Sequence, residues 1–89
     1  MSAPSQTEIE RWIVRHLSAS LAPGAHAIKR TDTFNELGVD SVTGIEMVGA
    51  LGEWLGLELD PTLIYDFATA KALSTHLHEL ASLALKEAA

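Results

Sequence analysis

The chain has 89 residues, and its six Lys and Arg against twelve Asp and Glu give a formal net charge of −6. A net acidic chain is poorly suited to nucleic acid or anionic membrane, because both select clustered Lys and Arg, while 47% hydrophobic residues suffice for a core and argue against an acidic disordered tail. The absence of Cys excludes disulfide staples, thiolate zinc sites and thiol redox chemistry.

Ser5-Gln6-Thr7-Glu8 has the capping-box pattern of a helix start, with Ser at the N-cap and Glu three residues on. Ile9, Trp12, Ile13, Leu17 and Leu21 follow at helical spacing and define one inner face. Ala22-Pro23-Gly24 should end this helix. Residues 22–40 then form a connection longer than helix-to-helix loops usually are. Ile28, Phe34 and Leu37 are spaced to plug back into a bundle, and Thr33-Phe34-Asn35-Glu36 can cap a single turn. Gly38 breaks the chain just before Asp40-Ser41.

A second helix is expected from about Ser41 to Leu55. At about 100° per residue from Ser41, its apolar side chains fall into two sectors. Met47, Leu51, Leu55 and Val48 form an ordinary core stripe, whereas Val42, Ile45, Gly49 and Gly52 form a second stripe edged by Glu46 and Glu53. One core explains only the first. Gly44, Gly49 and Gly52 each cost a helix about 1 kcal/mol relative to Ala. They either mark tolerated weakness or let another backbone or a ligand come close.

Gly56 ends that helix, and Pro61 can open a short third one over Thr62–Asp66, carrying Leu63, Ile64 and Tyr65. Thr69 suits the N-cap of a last helix whose inner stripe is Leu73, Leu77 and Leu80. The pattern blurs at Leu83, Ala84 and Leu85, so a core of about 5–82 with a tail of about 83–89 is expected in a single domain over 1–89. The fold class is all-α: a four-helix bundle with a long first loop and a short third helix.

Chemistry is sparse. Of the four histidines, His16 and His26 sit in different elements and His76 and His78 point to different sides of a helix, so no metal site is expected. Ser41 lacks the flanking glycines of a nucleophile elbow, and so short a chain offers little shelter for a hydrolytic triad. Gly49-Ala50-Leu51-Gly52 has the spacing of a nucleic-acid GXXG loop but falls in a helical, acidic stretch. Asp40-Ser41 alone reads as a helix cap, although Ser in a first helical turn is also well placed to carry a phosphodiester, because free N–H groups and partial positive charge face an anion there.

The surroundings favour the second reading. Leu37-Gly38-Val39-Asp40-Ser41-Val42 followed by Ile45-Glu46-Met47 resembles the phosphopantetheine attachment signature of acyl carrier proteins. Leu55-Gly56-Leu57-Glu58-Leu59 and Pro61-Thr62-Leu63-Ile64-Tyr65-Asp66-Phe67-Ala68-Thr69 look like the loop and third helix of polyketide-synthase carriers, and Ala72-Leu73 with His76-Leu77 extends the likeness into the last helix. It covers roughly residues 7–80, with the landmarks in order. The resemblance implies 4′-phosphopantetheine, supplied from coenzyme A, esterified to Ser41, with Asp40 helping a phosphopantetheinyl transferase engage its metal and substrate. It further implies that Val42, Ile45 and Glu46 meet partner enzymes, a ketosynthase, acyltransferase or acyl-activating ligase. The chain would then be a substrate shuttle and not an enzyme, and a monomer; its opening Met and its end soon after the last helix favour a free-standing carrier, and the lack of a signal-like or membrane-length apolar stretch makes the cytoplasm the expected location. Departures from the family pattern are Val42 in place of the more frequent Leu, Asp60 and Ala68 where Pro is common, small Gly49 and Gly52, and Trp54 at a usually polar position. The alternatives are a peptidyl carrier of a nonribosomal synthetase, against which Val39 argues, and an unmodified acidic helical adaptor.

The charge distribution bears on the docking face. Residues 1–30 carry +2, residues 67–89 are balanced, and residues 31–66 hold eight carboxylates with no Lys or Arg, a net −8. Val42, Ile45, Gly49, Glu46 and Glu53 are therefore candidates for docking basic partners, beside the alternative of a solvated helix face.

Overall fold

The structure is a computed structural model that describes residues 3–20 and 28–88. Among the described residues four helices follow in order: α1 (Gln6–Ser20), α2 (Ser41–Leu55), α3 (Leu63–Asp66) and α4 (Ala70–Ala88). The only β pairing among the described residues is a single antiparallel bridge between Thr33 and Thr69. The expected ending of the first helix at Ala22-Pro23-Gly24, its inner residue Leu21, and His26 lie outside the described residues.

Local caps set the helix starts where the sequence places them. Ser5 Oγ accepts from the Glu8 N–H at 3.1 Å, and the Ser5 N–H donates back to Glu8 Oε1 at 3.3 Å, a reciprocal capping box. Thr69 Oγ1 accepts from the Ala72 N–H at 3.1 Å and starts α4. The carbonyl of Gly52 receives both the Gly56 and the Leu57 N–H groups, which closes α2. The third helix begins at Leu63, one residue later than expected, with Thr62 as its N-cap. Helix α4 continues through the stretch expected as a tail, with Leu83 and Leu85 exposed on it.

Ile9, Ile13 and Leu17 from α1 form one buried cluster with Met47, Val48 and Leu51 from α2, Ile64 from α3 and Leu73 and Leu77 from α4. Burying each such side chain contributes about 1.5–3 kcal/mol. The core stripe of α2 is thus the first of its two apolar sectors. On α4 the inner face continues through Ala81, and Leu80 is only partly buried against the cluster. Among the described residues a single polar side chain, Ser74, is fully buried; it accepts from Gln6 Nε2 at 3.1 Å and donates to the Lys71 carbonyl at 3.0 Å, which joins α1 to α4.

The described part of the connection between α1 and α2, residues 28–40, is pinned to the bundle. Phe34 is buried in the core, with Ile28 and Leu37 packed against it, as their spacing suggests. The Phe34 N–H donates to the Ala68 carbonyl at 2.8 Å, and the Lys71 N–H to that of Arg30 at 3.0 Å. Thr33 and Glu36 form a second capping box, the hydroxyl donating to Glu36 Oε1 at 2.8 Å. Among the described residues no helix is long and apolar enough to cross a membrane.

Candidate functional site

The hydrogen bonds of residues 30–36 hold the chain that leads through residues 37–41 into α2. The turn after Phe34 is closed by the Leu37 and Gly38 N–H groups on the Thr33 and Asn35 carbonyls, both at 3.1 Å, and by the Val39 N–H on the Phe34 carbonyl at 2.9 Å. Gly38 has φ +80°, in the left-handed region where a side chain is strained, so glycine is required for the chain to turn here. Asp40 is extended, at φ −85° and ψ −179°, and is the N-cap of α2. Its Oδ1 accepts from the Thr43 N–H at 2.8 Å. That backbone bond first, and the Thr43 hydroxyl second, hold the Asp40 carboxyl below its ordinary pKa, so it is a carboxylate at neutral pH.

Ser41 is therefore the first residue of α2, exposed beside a charged cap. Its position suits a phosphodiester, because a phosphate attached there would face the positive end of a 15-residue helix. The Asp40 carboxylate next door is negative like a phosphodiester, so what it contributes in the fold is the cap that fixes the helix start and the Ser41 backbone.

The outer face of α2 divides the second apolar sector. Val42 and Ile45 stand 65% and 54% exposed, values that no core requirement explains, and Glu46, Gly49 and Glu53 are exposed with them. Gly52 does not join this face. It is buried because the chain after α2 folds back over it, so that a Cβ there would meet the Leu57 carbonyl oxygen at 2.7 Å. Gly44 is likewise buried, against the Ile64 side chain. Two of the three helical glycines thus serve close approach within the fold, and only Gly49 opens onto solvent.

Sequence spacing gave no sign of an aromatic stack between α1 and α2. Trp12 lies parallel to Trp54 at 5.8 Å between ring centroids and to His16 at 4.9 Å. His76 stacks on Phe67 at 4.1 Å, and His78 Nδ1 lies 2.8 Å from the Pro4 carbonyl oxygen, so these three histidines have packing roles.

A small bundle whose second helix opens on an exposed Asp-Ser pair has the architecture of a helical carrier domain, and the comparisons with known proteins place it in that class. The family model for the phosphopantetheine attachment site matches residues 11–77, and the chain belongs to that family, whose domains hold 4′-phosphopantetheine covalently. Among curated relatives, it is 47% identical over 55 residues to the spectinabilin polyketide synthase system protein NorA′ of Streptomyces orinoci, an alignment covering 62% of this chain and 2% of the relative. It is 35% identical over 83 residues to polyketide synthase GfsE of Streptomyces halstedii, covering 88% of this chain and 2% of that one. The chain thus spans about 2% of the length of these relatives. Among solved structures it resembles Asl1650, an acyl carrier protein from Anabaena sp. PCC 7120 with a variant phosphopantetheinylation-site sequence. That match has a TM-score of 0.78 at 27% identity and covers 91% of this chain and 92% of the other.

Proposed function

We propose that this carrier domain holds acyl intermediates as thioesters on a 4′-phosphopantetheine arm attached at Ser41, and presents them to enzymes of polyketide-type or fatty-acid-type biosynthesis. The observation that carries this reading is the exposed Ser41 at the first turn of α2, inside the stretch matched by the attachment-site family. The polyketide synthase relatives support the pathway class. When bound, the arm supplies a terminal thiol on a flexible tether. The chain's own residues do the rest. Ser41 offers the hydroxyl that becomes the phosphodiester, Asp40 and Thr43 hold the helix start, and Val42, Ile45, Glu46, Gly49 and Glu53 form the face that ketosynthase, acyltransferase, acyl-activating ligase and phosphopantetheinyl transferase would meet. The domain acts as a shuttle and leaves bond making to its partners.

Co-expression with a broad-specificity phosphopantetheinyl transferase, followed by intact-mass measurement, tests the assignment. A gain of one phosphopantetheine that disappears in Ser41→Ala is expected. No gain, or a gain that survives Ser41→Ala, removes Ser41 from the role.

A further inference from the structure

The acidic face has a basic counterpart elsewhere. Four of the six Lys and Arg fall within residues 1–30, and three of them, Arg11, Arg15 and Arg30, line one surface cleft of about 410 Å³ with Glu10, Val14 and Ile28. Arg30 Nε is held by Glu10 Oε2 at 3.0 Å, the one ion pair among the described residues, and Gln6 Nε2 donates to the same oxygen at 3.2 Å. Glu10 is thereby spent within the fold: its carboxylate fixes Arg30 at the edge of the cleft. Arg11 and Arg15 are exposed, have no carboxylate partner among the described residues, and sit one helical turn apart on α1. Half-buried Val14 and Ile28 give the cleft an apolar floor.

We propose that this cleft docks an acidic peptide segment of a partner protein, one carrying carboxylates a helical turn apart beside an aliphatic side chain. Two guanidinium forks spaced by one turn match two carboxylates at the same spacing, each able to take paired N–H donors. The floor of Val14 and Ile28 accepts the aliphatic group between them. Charge complementarity selects a short segment over an extended polyanion, since residues 31–66 carry −8 and would repel nucleic acid or an anionic bilayer approaching broadly. The domain would then hold an acidic segment at α1 while its α2 face meets a basic surface. The two contacts involve opposite charges, so neither competes for the other's partner.

The probe is a fluorescein-labelled synthetic helix with Glu four residues apart and Leu beside them, read by anisotropy on the full chain. Binding should weaken at least about tenfold from about 20 mM to about 200 mM salt, and by a similar factor in Arg11→Glu/Arg15→Glu, whose exposed positions leave the helix intact by circular dichroism. The Val14 and Ile28 methyl resonances should shift with the peptide, and Ser41→Ala should bind as the wild type does, which separates this contact from the attachment site. Equal binding by a Gln-for-Glu peptide, or by the double Arg variant, overturns the proposal. So does tighter binding to phosphatidylserine vesicles than to the peptide. Self-association lost in the double Arg variant would also overturn it, by identifying a second copy of this chain as the occupant.

Discussion

A Cβ on Gly52 would stand 2.7 Å from the carbonyl oxygen of Leu57, whose own N–H donates to the Gly52 carbonyl at 2.9 Å. The chain leaving α2 therefore lies against the helix at Gly52, where the absence of a side chain admits it. Gly52→Ala cannot be accommodated by a rotamer change, because the obstacle is backbone. The expected loss is about 1–3 kcal/mol, larger than the gain of about 1 kcal/mol that alanine brings to a helix. Gly49→Ala has open space around its new methyl and should stabilise by about that same 1 kcal/mol. Urea unfolding of the two variants should therefore move in opposite directions, and equal shifts would refute the packing account.

The Trp12–Trp54 stack ties α1 to α2 at a place where Trp54 is still 41% exposed. Offset aromatic pairs contribute about 0.5–1.5 kcal/mol beyond their buried area. A double-mutant cycle of Trp12→Leu and Trp54→Leu should return a coupling in that range, with a change in tryptophan emission for each single variant. Additive effects would mean that the rings merely lie side by side.

These two contacts also mark where sequence reading stops. The capping boxes at Ser5 and Thr33, the Thr69 cap and the bounds of α2 were legible because each is a local hydrogen-bond pattern within four residues. Phe34 and Met47 were legible as core because apolar periodicity reports which face is inward. Helical projection grouped Gly52 with Val42 and Ile45, yet it is blind to a loop that folds back, and that loop buries Gly52. The Trp12–Trp54 pair and the cleft joining Arg30 to Arg11 are encounters between distant segments, which no local period encodes. The Asp40-Ser41 pair stood out through its ordered neighbours more than through its own two residues.

Asp40 and Asp60 give the fold a directional acid response. The Thr43 N–H lowers the pKa of Asp40, and the Thr62 N–H, followed by its hydroxyl, lowers that of Asp60. A carboxyl whose pKa is lower folded than unfolded contributes stability that is complete above the unfolded value of about 3.9 and is lost as pH falls through the folded one. Urea midpoints should therefore hold steady down to about pH 4 and drop below it. In Asp40→Asn/Asp60→Asn the drop should be shallower, since asparagine retains a cap oxygen without titrating. An unchanged slope would show that other carboxylates govern the acid limb.

Glu46 and Glu53 flank exposed Ile45 and Gly49 within a stretch that has no Lys or Arg to neutralise it. If this face steers basic partners, reversing either charge acts on encounter and leaves the chemistry at Ser41 untouched. Glu46→Lys and Glu53→Lys should each lower kcat/KM for modification by a phosphopantetheinyl transferase about three- to tenfold at low ionic strength. The deficit should shrink as salt shortens the Debye length towards about 3 Å near 1 M, because screening removes the advantage from the wild type as well. Val42→Ala tests the apolar half of the same face, and its effect should persist at high salt, since burying an apolar side chain is not screened. If both lysine variants match the wild type at every salt concentration, the carboxylates of α2 are a solvated surface and the docking face reduces to Val42 and Ile45.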